Sequence, residues 1–195
     1  SDIDDAMIKI TVGTQKKKNK IKDSEKRKTA YHEAGHAILA HLLPTQDPVR
    51  QISIIPSGNA LGYTLNPPTE DKYSVYKNEL KERIMMLLGG RAAEEIVYGD
   101  VSGGASNDIM RATQTARKMV TELGMSDVIG NIRLGSDRDD GEVFLGRDFN
   151  STKNYSEETA SLIHSEIKKI IDEANLKAKA LLLANREKID FITDL

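Results

Sequence analysis

The sequence predicts a mainly α domain carrying a small β-ribbon, on three observations. Apolar residues recur at helical spacing along four long stretches. All five prolines fall between Pro44 and Pro68, so that stretch alone must be non-helical. The chain has 195 residues, 38% hydrophobic and 30% charged, enough to close a core around those helices without staples.

Taken in order, residues 1–13 read as a short helix, with Ile3, Met7, Ile8 and Ile10 apolar and Gly13 as its stop. It is too short for a core of its own. Residues 14–28 read as a polar linker: the lysines from Lys16 to Lys28 have no aromatic residues between them, as a solvated segment would have it. From about Ser24 or Lys26 to Leu43 the spacing predicts a helix, its stripe formed by Tyr31, Ala34, Ile38 and Leu42 with Leu39 beside them. Pro44 ends it.

Two β-type runs follow, Val49 to Ile55 and Leu61 to Leu65, with Ser57-Gly58-Asn59 as the turn between them. A ribbon has unpaired backbone groups along its edge, able to take up an extended peptide. Ile52, Ser53, Ile54 and Ile55 are the candidate residues for that role, beside the plainer reading of an edge strand without a ligand.

Residues 72–98 form the second long helix, with Leu80, Ile84, Leu87, Leu88, Ala92 and Ile96 at helical spacing. Gly89-Gly90 in its middle costs helix stability, which a close backbone contact would explain. Arg91, Glu94 and Glu95 lie on or beside its apolar stripe and need partners or a metal there. The glycine-rich stretch 99–105 lacks the spacing of a phosphate loop. Ser106 is then expected to cap a third helix running to Leu123, with Asp108 in its first turn. Residues 124–154 read as irregular, with the acidic Ser136-Asp137-Arg138-Asp139-Asp140 as an exposed loop. Ser156 caps a last long helix to about Leu183, and residues 186–195 continue it or start another.

Candidate chemistry is concentrated in His32-Glu33-Ala34-Gly35-His36, an H-E-x-x-H pattern inside a predicted helix. Residues four apart share a helix face, so both imidazoles can reach one metal ion. Glu33 can reach a water bound to that metal, and the small Ala34 and Gly35 leave room for a second element to pack close. The chain holds only four histidines, and the other two, His41 and His164, have no such context. Zero cysteines exclude thiolate ligands, thiol nucleophiles and disulfides, so a third ligand is Glu, Asp or His. Positions 39 and 42 are both Leu, so it comes from a distant element. Glu94 on the second helix and Asp108 at the head of the third are both placed to serve, and spacing alone does not separate them. The one not used could hydrogen-bond a ligand imidazole.

Charge excludes other classes. Lys plus Arg is 28 against 30 for Asp plus Glu, a net −2, whereas nucleic-acid binders are clearly basic. No apolar run approaches the roughly 18 residues of a membrane span. The acidic start reads as no signal peptide, and the missing initiator Met as the mark of a chain cut from something longer.

Several segments together resemble one family. Tyr31-His-Glu-Ala-Gly-His36, Ile52-Ser-Ile-Ile-Pro56, Leu61-Gly-Tyr-Thr64, Leu88-Gly-Gly-Arg-Ala-Ala-Glu-Glu95, Gly104-Ala-Ser-Asn-Asp-Ile109, Glu142-Val-Phe-Leu-Gly146 and Asn154-Tyr-Ser-Glu-Glu158 are similar to the peptidase domain of FtsH-type membrane-bound AAA proteases. The resemblance covers roughly residues 24–195. It implies a helical zinc metallopeptidase domain over 29–195, with residues 1–13 the last helix of a preceding ATPase lid. It implies Zn²⁺ on His32, His36 and Asp108, Glu33 as general base, and Glu94 as the residue behind a ligand. It further implies an endopeptidase acting on unfolded polypeptides in protein quality control. Its partners would be a homohexamer and an ATPase module with membrane segments. The intact protein would sit in a bacterial inner membrane, or an organellar one, with this domain on the cytoplasmic side. The rival expectation is a zinc-stabilised oligomerisation module without hydrolytic activity. Glu33 speaks against it, because a purely structural site has no use for a base.

Overall fold

The computed structural model describes residues 22–55, 61–68, 74–134 and 155–195. The expected helix over 1–13, the turn at 57–59 and the acidic tract at 136–140 lie outside the described residues. The architecture is mainly helical with one two-stranded antiparallel ribbon.

Helix α1, Asp23–Leu42, carries the H-E-x-x-H pattern. It begins one residue before the expected Ser24, so its first turns overlap the stretch also read as linker. Asp23 and Glu25 in its first turn explain this, since carboxylates favour the positive end of a helix. Strands β1, Gln51–Ser53, and β2, Tyr63–Leu65, pair with Gln51 opposite Leu65, Ile52 opposite Thr64 and Ser53 opposite Tyr63. Helix α2, Lys77–Tyr98, starts later than the apolar spacing suggested, and Gly99 closes it at φ 65°, a left-handed conformation that suits glycine.

A 3-10 turn at Gly103–Ala105 leads into α3, Ser106–Thr121. Ser106 is therefore inside the helix rather than at its cap. The N-cap position of α3 is Ala105, without a side-chain cap, and the Ser102 hydroxyl caps the 3-10 turn before it by accepting the Gly104 N–H. Helix α4, Glu157–Ala184, is capped by Ser156 as expected, its hydroxyl accepting from the Thr159 N–H at 3.2 Å. A separate short helix, α5, Arg186–Thr193, follows.

The core lies between α1, α2, α3 and α4, with α5 laid back on α1. Leu39, Ile84, Met119, Leu182 and Ile189 are fully buried, each worth about 1.5–3 kcal/mol of apolar transfer. Alanines fill the closest approaches, among them Ala34, Ala92, Ala93, Ala112 and Ala116. One polar knot sits at the far end of α1. The buried Glu82 accepts from the Thr45 N–H at 2.9 Å and from Asn78 Nδ2 at 2.8 Å, tying the loop after α1 to α2.

The crossing of α1 over α2 positions the site. A Cβ built on Gly35 would lie 2.3 Å from the Gly89 carbonyl oxygen and 2.7 Å from Ala93 Cβ. One built on Gly89 would lie 2.8 Å from the Gly35 carbonyl oxygen. The two helices thus meet backbone to backbone, the contact that Gly89-Gly90 foreshadows. Gly90 has its own reason: a Cβ there would fall 2.4 Å from His32 Nε2. Its missing side chain is the space that the imidazole occupies.

Candidate metal centre

His32 and His36 stand one turn apart on α1, and their Nε2 atoms lie 3.1 Å from each other. Helix α3 brings Asp108 to the same place. Its Oδ2 is 3.3 Å from His32 Nε2 and 3.4 Å from His36 Nε2. Asp108 is in the first turn of α3, so the helix end itself delivers the short carboxylate. Among the described residues these three are the one His, Cys, Asp or Glu group whose ligand atoms converge, all within 4.8 Å of one another.

The outer nitrogens are already engaged. His36 Nδ1 lies 2.8 Å from the Met86 carbonyl oxygen, which can only accept. His36 therefore carries its proton on Nδ1. His32 Nδ1 lies 2.7 Å from Glu94 Oε1. Glu94 also receives the Ser102 N–H on Oε2 at 2.7 Å and the Ser102 hydroxyl on Oε1 at 3.1 Å, so it acts as an accepting carboxylate. Both imidazoles consequently turn Nε2 lone pairs inward, toward each other and toward Asp108. Three lone-pair atoms this close repel unless a cation lies among them. Two imidazole nitrogens and a carboxylate oxygen form a donor set that zinc accepts.

Without a metal, a proton on His32 Nε2 takes the cation's place, and titration follows from the same contacts. Burial works against a charged His32, but its hydrogen bonds with Asp108 and Glu94 and the field of Glu33 prevail, and its pKa is pushed up to about 9. Burial likewise opposes ionisation of Asp108, yet the bonds from His32 and His36 hold its carboxyl well below the usual carboxylate range. Glu94 is lowered in the same way, by His32 and then by Ser102, against the cost of its burial.

Glu33 is 6% exposed, and its Oε2 accepts the Thr64 hydroxyl of β2 at 2.7 Å. The centre opens into a cleft of about 1020 Å³ lined by α1, by residues 61–64 and Asn66 of the ribbon side, and by 102–104 and 106–108 with Arg111. Asp108 and Glu94, left level by spacing, occupy different positions: Asp108 meets both Nε2 atoms, Glu94 the outward nitrogen of His32. Ile52, Ser53, Ile54 and Ile55 do not line the cleft. They stand on β1 and its end, one strand farther out, with Ile54 and Ile55 exposed. His41 and His164 are exposed and apart from the centre. Sequence reasoning did not single out Thr64, Ser102 or Met86. The serine and threonine lie within or beside the segments that carry the family resemblance, but Met86 contributes only a main-chain oxygen, which no residue type announces.

Family-level comparison matches residues 19–195 to peptidase family M41. The chain is similar to "ATP-dependent zinc metalloprotease FtsH 2" of Alkaliphilus metalliredigens, 50% identical over 190 residues, covering 97% of this chain and 27% of that protein. It is also similar to "ATP-dependent zinc metalloprotease FtsH" of Thermotoga maritima, 48% identical over 195 residues, covering 100% of this chain and 32% of that protein. The chain thus spans less than a third of the length of these relatives.

Proposed function

The chain belongs to peptidase family M41, and from that premise we propose that it is a zinc endopeptidase domain using Glu33 as general base. The observation that carries this reading is the inward convergence of His32 Nε2, His36 Nε2 and Asp108 Oδ2, with Glu33 beside them on the same helix. These three residues would hold the zinc, and Glu94 would orient His32 from behind. Zinc bound there supplies an acidified water and polarises a scissile carbonyl.

The remaining chemistry is that of the chain's own groups. Glu33 takes one proton from the attacking water as the C–O bond forms, and returns it to the leaving amine as the C–N bond breaks. Each turnover consumes one water and leaves Glu33 ionised as it began. The substrate is an extended polypeptide. The ribbon offers it backbone groups irrespective of side chains, which suits cleavage of low sequence specificity. The lining of the cleft favours the β2 side, residues 61–64 and Asn66, while Ile52 to Ile55 offer a second edge on β1. A peptide-inhibitor complex distinguishes the two edges by which main-chain atoms it pairs with.

The relatives' names describe ATP-dependent zinc metalloproteases. In keeping with them, we infer that this domain works beneath an ATPase module in a homohexamer. That protein would be anchored in an inner membrane with the peptidase on the cytoplasmic side and would serve protein quality control. Residues 1–13 would belong to the ATPase lid, 14–28 to the connection and 29–195 to the peptidase unit. No helix among the described residues is long and apolar enough to cross a membrane, so the anchor would lie elsewhere.

The deciding experiment is Glu33→Gln, with zinc content and cleavage of unfolded casein measured on the same preparation. Zinc retained with turnover lost supports the assignment. Cleavage at the parent rate overturns it, and zinc bound without any cleavage by the parent protein favours the inactive assembly module instead.

A further inference from the structure

Thr64 stands at the centre of β2, opposite Ile52, and its side chain crosses to α1. Its hydroxyl lies 2.7 Å from Glu33 Oε2 and 3.2 Å from the Glu33 carbonyl oxygen. A hydroxyl has one proton to give, and an ionised acceptor makes the shorter and stronger bond. That proton therefore goes to Oε2. Oε1 takes no hydrogen bond among the described residues.

The end torsion of a glutamate is broad and roughly two-fold, so covalent structure does not decide how the carboxylate lies. We propose that Thr64 is a positioning residue, which holds Glu33 by Oε2 and so leaves Oε1 as the oxygen that takes the proton from water. The role presupposes that Glu33 is the base.

A second, independent feature points the same way. Residues two apart on a strand share a face, so Gly62, Thr64 and the following Asn66 form one row. A Cβ on Gly62 would lie 2.7 Å from Thr29 Cγ2, 2.8 Å from the Ser53 carbonyl oxygen and 3.1 Å from Glu33 Cγ. Only hydrogen fits there, and its small size lets the ribbon come close enough for Thr64 to reach the base. Farther along the row, Asn66 Nδ2 donates to Met86 Sδ at 3.3 Å, and the Met86 carbonyl accepts from His36 Nδ1. One face of the ribbon thus touches the base directly and a candidate ligand through a single residue. A peptide paired to the ribbon would be registered against the base by the same strand.

Thr64→Val in the full-length, zinc-loaded protein removes the hydroxyl and keeps the shape. The expected result is a roughly tenfold fall in kcat on unfolded casein, a fraction of what a general base contributes. KM should stay within about twofold, since the group acts on the base rather than on substrate binding. Zinc content should be unchanged, and a crystal structure of the variant should show the Glu33 carboxylate turned from its place. Thr64→Ser should recover most of kcat. Adding Thr64→Val to Glu33→Gln should cost nothing more, because the two act as a unit. An unchanged kcat in Thr64→Val, a loss confined to KM, or no recovery with serine would overturn the proposal. Glu33→Gln run alongside keeps the two assignments apart. Full activity there sinks the base, whereas an inactive Glu33→Gln beside a fully active Thr64→Val sinks the role of Thr64 alone.

Discussion

His32 Nε2 and His36 Nε2 face each other across 3.1 Å while both Nδ1 atoms are already bonded outward. The pair is arranged to share a cation, and chelation of zinc leaves a proton to take its place.

In the chelated protein, His32 has a pKa of about 9, above its ordinary value of about 6.5. Its contribution to stability is complete below about pH 6.5 and is lost as the pH rises through 9. Asp108 and Glu94 lie below the ordinary carboxylate range, near pH 4, so their contributions are present above it and are lost as the pH falls below it. The melting temperature of the chelated protein should therefore be highest between about pH 5 and 6.5 and decline on either side. Adding zinc should flatten the alkaline decline. Thermal melts from pH 3 to 10, with and without a chelator, check both arms.

Asp108→Asn and Glu94→Gln should both weaken zinc binding, and the larger loss should belong to Asp108→Asn. Losing a group behind a ligand costs about 10- to 100-fold in affinity, which is the range expected for Glu94→Gln. Competition with a chromophoric chelator measures the two constants. Zinc lost from Glu94→Gln and kept by Asp108→Asn would reverse the assignment.

Gly35→Ala and Gly90→Ala should fail differently. The first drives a methyl group onto the Gly89 carbonyl and should destabilise the fold by about 1–3 kcal/mol, read by urea denaturation. The second drives it into the His32 ring, and zinc content should fall before stability does.

Glu82→Ala leaves the Thr45 N–H and the Asn78 amide without their buried acceptor. The expected loss is about 1–3 kcal/mol with zinc affinity unchanged, because the knot lies beyond the C-terminal end of α1 and touches neither imidazole. Denaturation and zinc titration together test it.

Sequence periodicity made α3 and α4 legible because each buries one stripe, such as Ala112, Ala116 and Met119 on α3. By contrast, α1 and α2 are buried on most sides where they cross and show their apolar residues without a single clean face. The H-E-x-x-H pattern was legible for a local reason, since a four-residue offset fixes both imidazoles on one face. The third member of the cluster was not. Whether Asp108 or Glu94 reaches the inner nitrogens depends on how α2 and α3 dock, and spacing along the chain contains no term for that. The same holds for Thr64, whose hydroxyl meets a residue 31 positions earlier only because Gly62 lets the ribbon lie close. The cap of α3 went astray for a smaller reason. Ser106 was expected at the cap, but the 3-10 turn before it places Ala105 there without a side-chain cap, and Ser102 caps the turn instead.

The meeting of Gly35 and Gly89 has a mechanical consequence. Most helix crossings are cushioned by side chains, which adjust by hopping between rotamers on picosecond to nanosecond timescales. A joint between two main chains has no χ angle to turn. His32 and His36 on one side, and Met86 and Glu94 on the other, are therefore carried by members whose spacing has no soft coordinate. Rearrangement of one side relative to the other therefore has to move a helix rather than turn a side chain.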